Sequence, residues 1–176
     1  MIKKNCLASL LLLTVILMIT LVSCDPSRKY VKEEKAKIQD YLSTNSDLSF
    51  ELKPSGLYYL KIQEGTGSAL ALHDTVYVKY TGKFLDGTIF DSNTTASTYL
   101  IFPIGEGWVI TGFDEGVSYM KEGGKATLLI PSELAYGSNG SGYSYDPTYG
   151  YYQAIPGYTP LLFDVELVKV VAHTGK

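Results

Sequence analysis

The chain has few cysteines and histidines, and their scarcity excludes several kinds of site. Both cysteines, Cys6 and Cys24, lie at the extreme N-terminus, so the rest of the 176 residues can form neither a disulfide framework nor a cysteine metal site. The two histidines, His73 and His173, match no catalytic or metal-ligand pattern. We therefore expect no bound metal.

Positive charge is also scarce. Lys and Arg together number 15 against 18 Asp and Glu, which gives a formal net charge of -3, and Arg28 is the single arginine. Nucleic-acid binding depends on clustered Lys and Arg that release counterions from the phosphates. The mildly acidic composition therefore argues against nucleic acid as a partner.

Apolar and aromatic residues, by contrast, are plentiful. Hydrophobic residues make up 45% of the chain and charged residues 19%, which excludes intrinsic disorder and supplies apolar material for one ordinary domain. Because tyrosine is amphipathic, we expect some of the 15 tyrosines to be contact residues rather than core residues.

The first 24 residues have the pattern of a secretory signal. Lys3 and Lys4 precede an uncharged run over residues 7–22, shorter than the roughly 20 residues that span a bilayer as a helix. Leu21-Val22-Ser23-Cys24 resembles the lipobox of bacterial lipoproteins, which implies removal of residues 1–23 as a signal peptide and diacylation of the Cys24 thiol. An uncleaved transmembrane anchor is the alternative. In either case we expect a membrane-anchored protein of the bacterial cell envelope that faces the periplasm or the cell surface.

Residues 24–50 are predicted to be a lipidated linker that contains a short amphipathic helix. Apolar residues recur there at helical spacing, at Val31, Ile38, Tyr41 and Leu42. The narrow stripe leaves two interpretations, a solvated spacer or a helix packed on the domain, and the charged composition favours the spacer. The compact domain is predicted to occupy residues 51–173.

Within that domain the pattern predicts several strands and one short helix. Alternating apolar and polar residues indicate strands at 57–62, 75–82, 125–130 and 161–171, and Asp86-Gly87 indicates a hairpin turn. Residues 110–120 suit one helix of about two turns. The stretch 137–154 is predicted to be irregular. These elements indicate an α+β domain in which an antiparallel sheet covers the helix.

Nine segments in order resemble the FK506-binding-protein family of peptidyl-prolyl isomerases over about residues 57–170. They are Val76–Gly82, Asp86–Ser92, Ile104–Ile110, Gly112–Val117, Met120–Gly123, Ile130–Pro131, Ala135–Gly137, Ile155–Pro156 and Leu162–Leu167. The resemblance implies a five-stranded antiparallel sheet half-wrapped around one short helix, here with an N-terminal helical extension. It also implies an apolar cavity between sheet and helix that takes proline-containing polypeptides and FK506-like macrolides.

Carried over position by position, the resemblance assigns three residues to catalysis. The Tyr136 phenol and the Ile155 N–H would hold substrate carbonyls, while Asp91 would lie at the cavity rim and hydrogen-bond to Tyr80. The substrate-binding residues implied are Tyr80, Phe90, Phe102, Val109, Ile110, Phe113 and Phe163. The family usually has tryptophan at the position of Phe113. Phenylalanine keeps a flat apolar floor but loses the indole N–H, which bears more on macrolide affinity than on catalysis.

The chemistry implied needs these residue types for a physical reason. Rotation about an Xaa-Pro amide must break resonance, over a barrier of about 18–20 kcal/mol. The twisted amide is less polar than the planar one, so an aromatic cavity binds it preferentially. No nucleophile, metal or cofactor is required, and we expect the activity to assist the folding of exported proteins.

Two other functions remain open from the sequence. The same cavity could belong to a non-catalytic binding module or chaperone, with the tyrosine-rich insertion at 137–154 as its contact surface, or that insertion could capture a surface glycan. Five tyrosines among glycines and serines are typical of an adaptable contact surface. We hypothesise that the insertion overhangs the cavity and selects the client peptides that enter.

Overall fold

The computed structural model describes residues 27–95, 97–146 and 150–175, and the side chains of residues 143–153 are outside its description. The predicted signal peptide and Cys24 therefore lie outside the described residues. In chain order the elements are α1 (Ser27–Thr44), β1 (Glu51–Leu52), β2 (Tyr58–Gln63), β3 (Thr75–Lys83), β4 (Ile89–Ser92), β5 (Leu100–Pro103), α2 (Thr111–Ser118), β6 (Lys125–Ile130), a 3₁₀ turn (Ser132–Leu134), β7 (Ser141–Asp146), β8 (Gly150–Ile155) and β9 (Leu161–Val171).

The predicted α+β architecture is confirmed, with a sheet of seven strands rather than five. The strands follow the order β1-β2-β6-β9-β3-β4, and β5 pairs with β3. The count rises partly because one edge of β3 has two partners, β5 along residues 75–78 and β4 along residues 81–83. The two-residue β1 adds a further strand beside β2. All pairings in this sheet are antiparallel, as the sequence predicts.

Helix α2 packs on one face of the sheet and closes the main core. Its Phe113 and Val117 are buried with residues such as Val76, Leu128 and Val165. A side chain at Gly116 would place its Cβ 2.5 Å from Leu128, so glycine there lets the helix approach the sheet closely. The predicted helix over 110–120 is therefore confirmed, with its ends two residues or fewer from those predicted.

Helix α1 packs on the opposite face of the sheet, and the interpretation as a solvated spacer is wrong. Leu128 and Leu129 are neighbours on β6, so their side chains point to opposite faces. Leu128 belongs to the main core, whereas Leu129 is buried with Ile38 of α1 and Leu162 of β9. The narrow apolar stripe is sufficient because the sheet offers a matching pair of leucines.

The stretch 137–154 was predicted to be irregular, and this prediction is wrong. It contains most of an antiparallel hairpin formed by β7 and β8. Ser141 pairs with Ile155 and Asp146 with Gly150, so the two strands match along their whole length. Most positions in these two strands are glycine, serine or tyrosine, which gives no clear alternation of apolar and polar residues, so the sequence did not indicate strands there. The contacts of its tyrosines lie outside the described side chains, and the hypothesis that it overhangs the site stays a prediction.

Across the described ranges from residue 27 to residue 175, no helix is both long enough and apolar enough to span a bilayer.

The packing of α1 predicts a stability effect at Ile38. Ile38 is 4% exposed, whereas Val31 on the same helix is 41% exposed. We expect Ile38→Ala to lower the free energy of unfolding by about 2–5 kcal/mol, because it leaves a cavity against two buried leucines. Val31→Ala is the matched control and should change it by about 0.5 kcal/mol or less. Urea unfolding followed by circular dichroism measures both, and equal effects would mean that α1 is not part of the folded unit.

Candidate active site

Four aromatic side chains from four elements meet between α2 and the sheet, and we call them the aromatic cluster. They are Tyr80 on β3, Phe90 on β4, Phe113 on α2 and Phe163 on β9. The ring centroid of Phe113 lies 5.2 Å from that of Phe163 and 5.8 Å from that of Tyr80, both edge-to-face. Phe90 meets Phe163 edge-to-face at 5.7 Å. Such pairs stabilise beyond their apolar area, so the rings hold one another in place.

The predicted site residues divide into a buried floor and a partly exposed rim. Phe113, Phe163 and Ile155 are buried, with 2%, 5% and 6% of their surface exposed. The rim consists of half-buried and exposed side chains, namely Tyr80, Phe90, Asp91, Val109, Ile110 and Tyr136. An apolar floor surrounded by a few polar groups is the usual composition of a small-molecule or peptide site.

Phe102 is the most deeply buried of the predicted substrate-binding residues. It is 1% exposed on β5 and belongs to the main core, as do the floor residues Phe113 and Phe163. Its ring centroid lies 6.0 Å from that of Phe113, so it packs against the floor. The substrate contact predicted for Phe102 stays a prediction.

Gly82 makes the close approach of two cluster rings possible. A Cβ atom at this position would lie 2.7 Å from ring carbons of Phe90 and 2.9 Å from Phe163. Contacts that short do not occur, so any larger residue would push the rings apart. Gly82 lies in one of the family segments, but its role could not be predicted from the sequence, since a missing side chain leaves no signal of what packs over it.

Asp91 and Tyr80 form the hydrogen bond that the resemblance implies. The Tyr80 phenol donates to Asp91 Oδ2 at 2.6 Å. Asn93 fixes the local geometry, because its Oδ1 accepts the Tyr80 N–H at 2.8 Å and its Nδ2 donates to the Val78 carbonyl at 3.0 Å. Asn93 is a supporting residue that the sequence analysis did not identify. An asparagine shortly after a strand reads as an ordinary turn residue, so only the fold reveals its partners.

The electrostatics of the rim keep both phenols protonated. Burial raises the pKa of Tyr80, and the hydrogen bond to Asp91 and the charge of that carboxylate raise it further. Burial also raises the pKa of Tyr136, with a smaller contribution from the charge of Asp91. Asp91 therefore acts on both tyrosines, which places the three side chains in one site. At neutral pH the two phenols can only be neutral hydrogen-bond donors or acceptors.

Tyr136 lies shortly before the β7–β8 hairpin, and Ile155 lies at its end. Tyr136 follows the 3₁₀ turn shortly before β7, and Ile155 is the last residue of β8. The hairpin thus connects two predicted catalytic residues directly. The substrate contact predicted for the Ile155 N–H stays a prediction.

Trp108 is an exposed aromatic residue next to the rim residues Val109 and Ile110. It is 71% exposed and is the single tryptophan of the chain. Its loop is held by Asp114, whose carboxylate oxygens accept the Gly105 N–H at 3.0 and 3.1 Å. The indole is therefore a fluorescent probe on a fixed loop beside the site.

The aromatic cluster differs in position from the groove beside α1, and nothing among the described residues suggests a metal site there. In the described portion of the chain, no three His, Cys, Asp or Glu side chains are grouped so that they could hold a metal ion. A groove of about 840 Å³ lies between α1 and the 3₁₀ turn, where Glu34, Ser132 and Tyr158 contribute to its wall. The predicted site residues do not line that groove, so we place the candidate site at the cluster, on side-chain chemistry.

Comparison with known proteins identifies the family of this chain. A family model described as FKBP-type peptidyl-prolyl cis-trans isomerase matches residues 67–168, which include the whole aromatic cluster and its rim. The chain belongs to this family. The match covers β3 to β9, so α1, β1 and β2 lie outside it.

Individual members of the family resemble the chain closely. The FK506-binding protein of Neisseria meningitidis serogroup B is 42% identical over 115 residues, which cover 65% of this chain and 96% of that protein. A probable FKBP-type peptidyl-prolyl cis-trans isomerase FkpA of the same organism is 37% identical over 142 residues, or 80% of this chain and 48% of that one. The crystal structure of FkpA from Escherichia coli superposes with a TM-score of 0.66 and 31% sequence identity, covering 93% of this chain and 71% of that chain. The chain thus spans about half the length of the FkpA relative from Neisseria.

The raised phenol pKa values predict how stability depends on pH. Tyr80 and Tyr136 keep their protons in the folded protein at a pH where unfolded tyrosine, with a pKa near 10, loses them. The folded state then binds more protons, so this contribution is fully present below about pH 10 and is lost as the pH rises further. In Tyr80→Phe we expect the decline above pH 10 to be shallower, by at most about 1.4 kcal/mol per pH unit, because solvent partly screens this half-buried phenol.

Urea unfolding at pH 8, 10 and 11 measures this decline. Asp91→Asn retains the Tyr80 phenol but removes the charge that raises its pKa, so it should give a decline between those of wild type and Tyr80→Phe. Superimposable pH profiles for wild type and Tyr80→Phe would contradict the electrostatic account of the rim.

Proposed function

We propose that this chain is a peptidyl-prolyl cis-trans isomerase that acts on proline-containing polypeptides. The observation that carries the proposal is the hydrogen bond from the Tyr80 phenol to Asp91 at the rim of the aromatic cluster. The charge of the same carboxylate also acts on the neutral Tyr136 phenol. Membership of the family supports it, as do relatives named as isomerases. The chain spans 48% and 59% of the length of two of these relatives.

The catalytic requirement is modest and fits a site without reactive groups. Reducing tens of seconds to milliseconds is roughly a 10⁴-fold gain, or about 5.5 kcal/mol at 1.36 kcal/mol per decade. Such a gain comes from binding the twisted amide more tightly than the planar one. An apolar floor that removes water and two or three directed hydrogen bonds supply interactions of this size.

Each part of the site has a role in this mechanism. The floor formed by Phe113 and Phe163 takes the pyrrolidine ring, whose apolar surface replaces water there. The Tyr136 phenol and the Ile155 N–H donate to substrate carbonyls, so that the chain on both sides of the rotating bond is fixed. Asp91, held by Tyr80, presents a carboxylate to the polarised amide. FK506-like macrolides would occupy the same floor, and the smaller Phe113 ring offers them less area than tryptophan.

Loss of one rim hydrogen bond should slow the reaction measurably. We expect Tyr136→Phe and Asp91→Ala each to lower kcat/KM about tenfold, since a directed hydrogen bond contributes roughly 1.4 kcal/mol. Tyr119→Phe is the matched control, because it removes a phenol that donates to Glu115 at 2.8 Å at the end of α2, away from the cluster. A protease-coupled assay on an Xaa-Pro peptide at low temperature measures all of these rates.

The same assay separates catalysis from simple binding. If wild type and the variants all lack activity, the chain is a binding module, and quenching or enhancement of Trp108 fluorescence by the peptide would reveal it. Equal activity in wild type, Tyr136→Phe and Asp91→Ala would contradict the assignment of these residues while leaving the enzyme in place.

We also propose that the protein is a lipoprotein of the bacterial cell envelope, anchored through Cys24, and that its clients are exported proteins. The support is the sequence alone, with two lysines, an uncharged run and the residues Leu21-Val22-Ser23-Cys24. The described part of α1 starts at Ser27, three residues after Cys24, so the helix would lie close to the lipid.

Cysteine replacement tests the anchor. We expect Cys24→Ser to remove metabolically incorporated palmitate and to shift the protein out of the detergent phase of a Triton X-114 partition, because the thiol that carries the diacylglycerol is gone. Cys6→Ser is the matched control, since it changes the other cysteine within the proposed signal and should leave both readouts unchanged. Palmitate incorporation into Cys24→Ser would contradict the proposal.

A further inference from the structure

A buried carboxylate connects α1 to the segment that carries Tyr136. Glu34 of α1 is 7% exposed. Its Oε1 accepts the Ser132 N–H at 2.5 Å, and its Oε2 accepts the Ser132 hydroxyl at 2.7 Å. Burying a carboxylate is costly unless such donors satisfy both oxygens, so the contact is a specific one. Glu34 and Ser132 are 98 positions apart in sequence, and Ser132 begins the 3₁₀ turn.

Ser132 in turn fixes the backbone on both sides of Tyr136. Its carbonyl accepts the N–H of Ala135 at 2.9 Å and the N–H of Gly137 at 2.7 Å. The residues immediately before and after Tyr136 are therefore bonded to the residue that Glu34 holds. A shift of Ser132 would be transmitted to the Cα of Tyr136 through two short hydrogen bonds.

A second contact from α1 reaches the same segment from the other side. The Tyr30 ring stacks on the Tyr158 ring with centroids 5.2 Å apart and planes at 14°. The Tyr158 N–H donates to the Gly137 carbonyl at 2.9 Å. Tyr30 and Glu34 are four residues apart, so they lie on one face of α1, together with the buried Ile38.

We propose that Glu34 is a positioning residue for Tyr136, and that α1 is therefore a working part of the active site. The inference rests on the proposed isomerase function. Catalysis by hydrogen bonding depends on placement, and a displacement of about 1 Å can cost up to two orders of magnitude in rate. Glu34 controls the placement of the Tyr136 phenol through the Ser132 turn, without touching substrate itself.

Substitution of Glu34 in the full-length protein tests the inference. We expect Glu34→Ala to lower kcat about tenfold at a temperature where circular dichroism shows it folded, because the turn loses its anchor. Glu34→Gln should keep kcat within about threefold of wild type, since its amide can accept from the Ser132 N–H and donate to the hydroxyl. Glu33→Ala is the matched control. Glu33 is solvent-exposed and pairs only weakly with Lys29 at 3.8 Å, so its kcat should stay at the wild-type value.

A double-mutant cycle separates positioning from general stability. If Glu34 acts through Tyr136, then Glu34→Ala should reduce kcat by no more than about twofold in the Tyr136→Phe background. A full tenfold loss in that background overturns the inference, as does wild-type kcat in folded Glu34→Ala. Should Glu34→Ala fail to fold, Ser132→Ala removes the hydroxyl donor alone and is expected to lower kcat about threefold, and an unchanged kcat overturns the inference.

A spectroscopic measurement keeps this inference distinct from the proposed function. In protein with ¹³C-labelled tyrosine rings, Tyr136→Phe identifies the Tyr136 signal by its disappearance. Glu34→Ala should shift or broaden that signal, and Glu33→Ala should not. An unmoved signal in Glu34→Ala contradicts the positioning role even if the protein is an active isomerase. A moved signal in a protein without isomerase activity upholds the positioning role and contradicts the proposed function.

Discussion

The packing of Phe113 against Phe163 is the interaction on which both the fold and the site depend. It joins α2 to the central strand β9, and the same two rings form the floor of the candidate active site. Gly82 keeps the space above β3 open so that Phe90 can close against Phe163. Core and site are consequently continuous, and the polar chemistry at the rim rests on rings that also stabilise the domain.

The polar groups are arranged around this floor by backbone pairing. Asp91 lies opposite Gly82 in the β3–β4 register, which brings its carboxylate to the Tyr80 phenol two residues away on β3. Asn93 then bonds back to β3 and fixes the end of that pairing. A small number of hydrogen bonds therefore sets the geometry of the rim, and burial keeps its phenols neutral.

Much of this could be predicted from the sequence, because alternation and family segments mark local structure well. The strands around Val78 and Val165, the helix containing Phe113 and the Tyr80–Asp91 bond all follow from such local signals. Glu34 could not be predicted to be buried, since its partner Ser132 is far away in sequence and a glutamate in a charged helix usually faces solvent.

The hairpin and the docking of α1 were missed for related reasons. Glycine, serine and tyrosine in β7 and β8 give neither a helical nor a strand period, so pairing there depends on contacts between the two strands rather than on composition. The stripe on α1 is too narrow to distinguish a solvated helix from a packed one, and the decision is made by Leu129 and Leu162 on the sheet.

The edge strands of the main sheet are short, with two residues in β1 and four each in β4 and β5. Long unpaired strand borders attract extended polypeptides by backbone hydrogen bonding, and short ones give such chains little to align with. An extended polypeptide that meets one of these outer strands therefore finds only two to four residues with which to align its backbone.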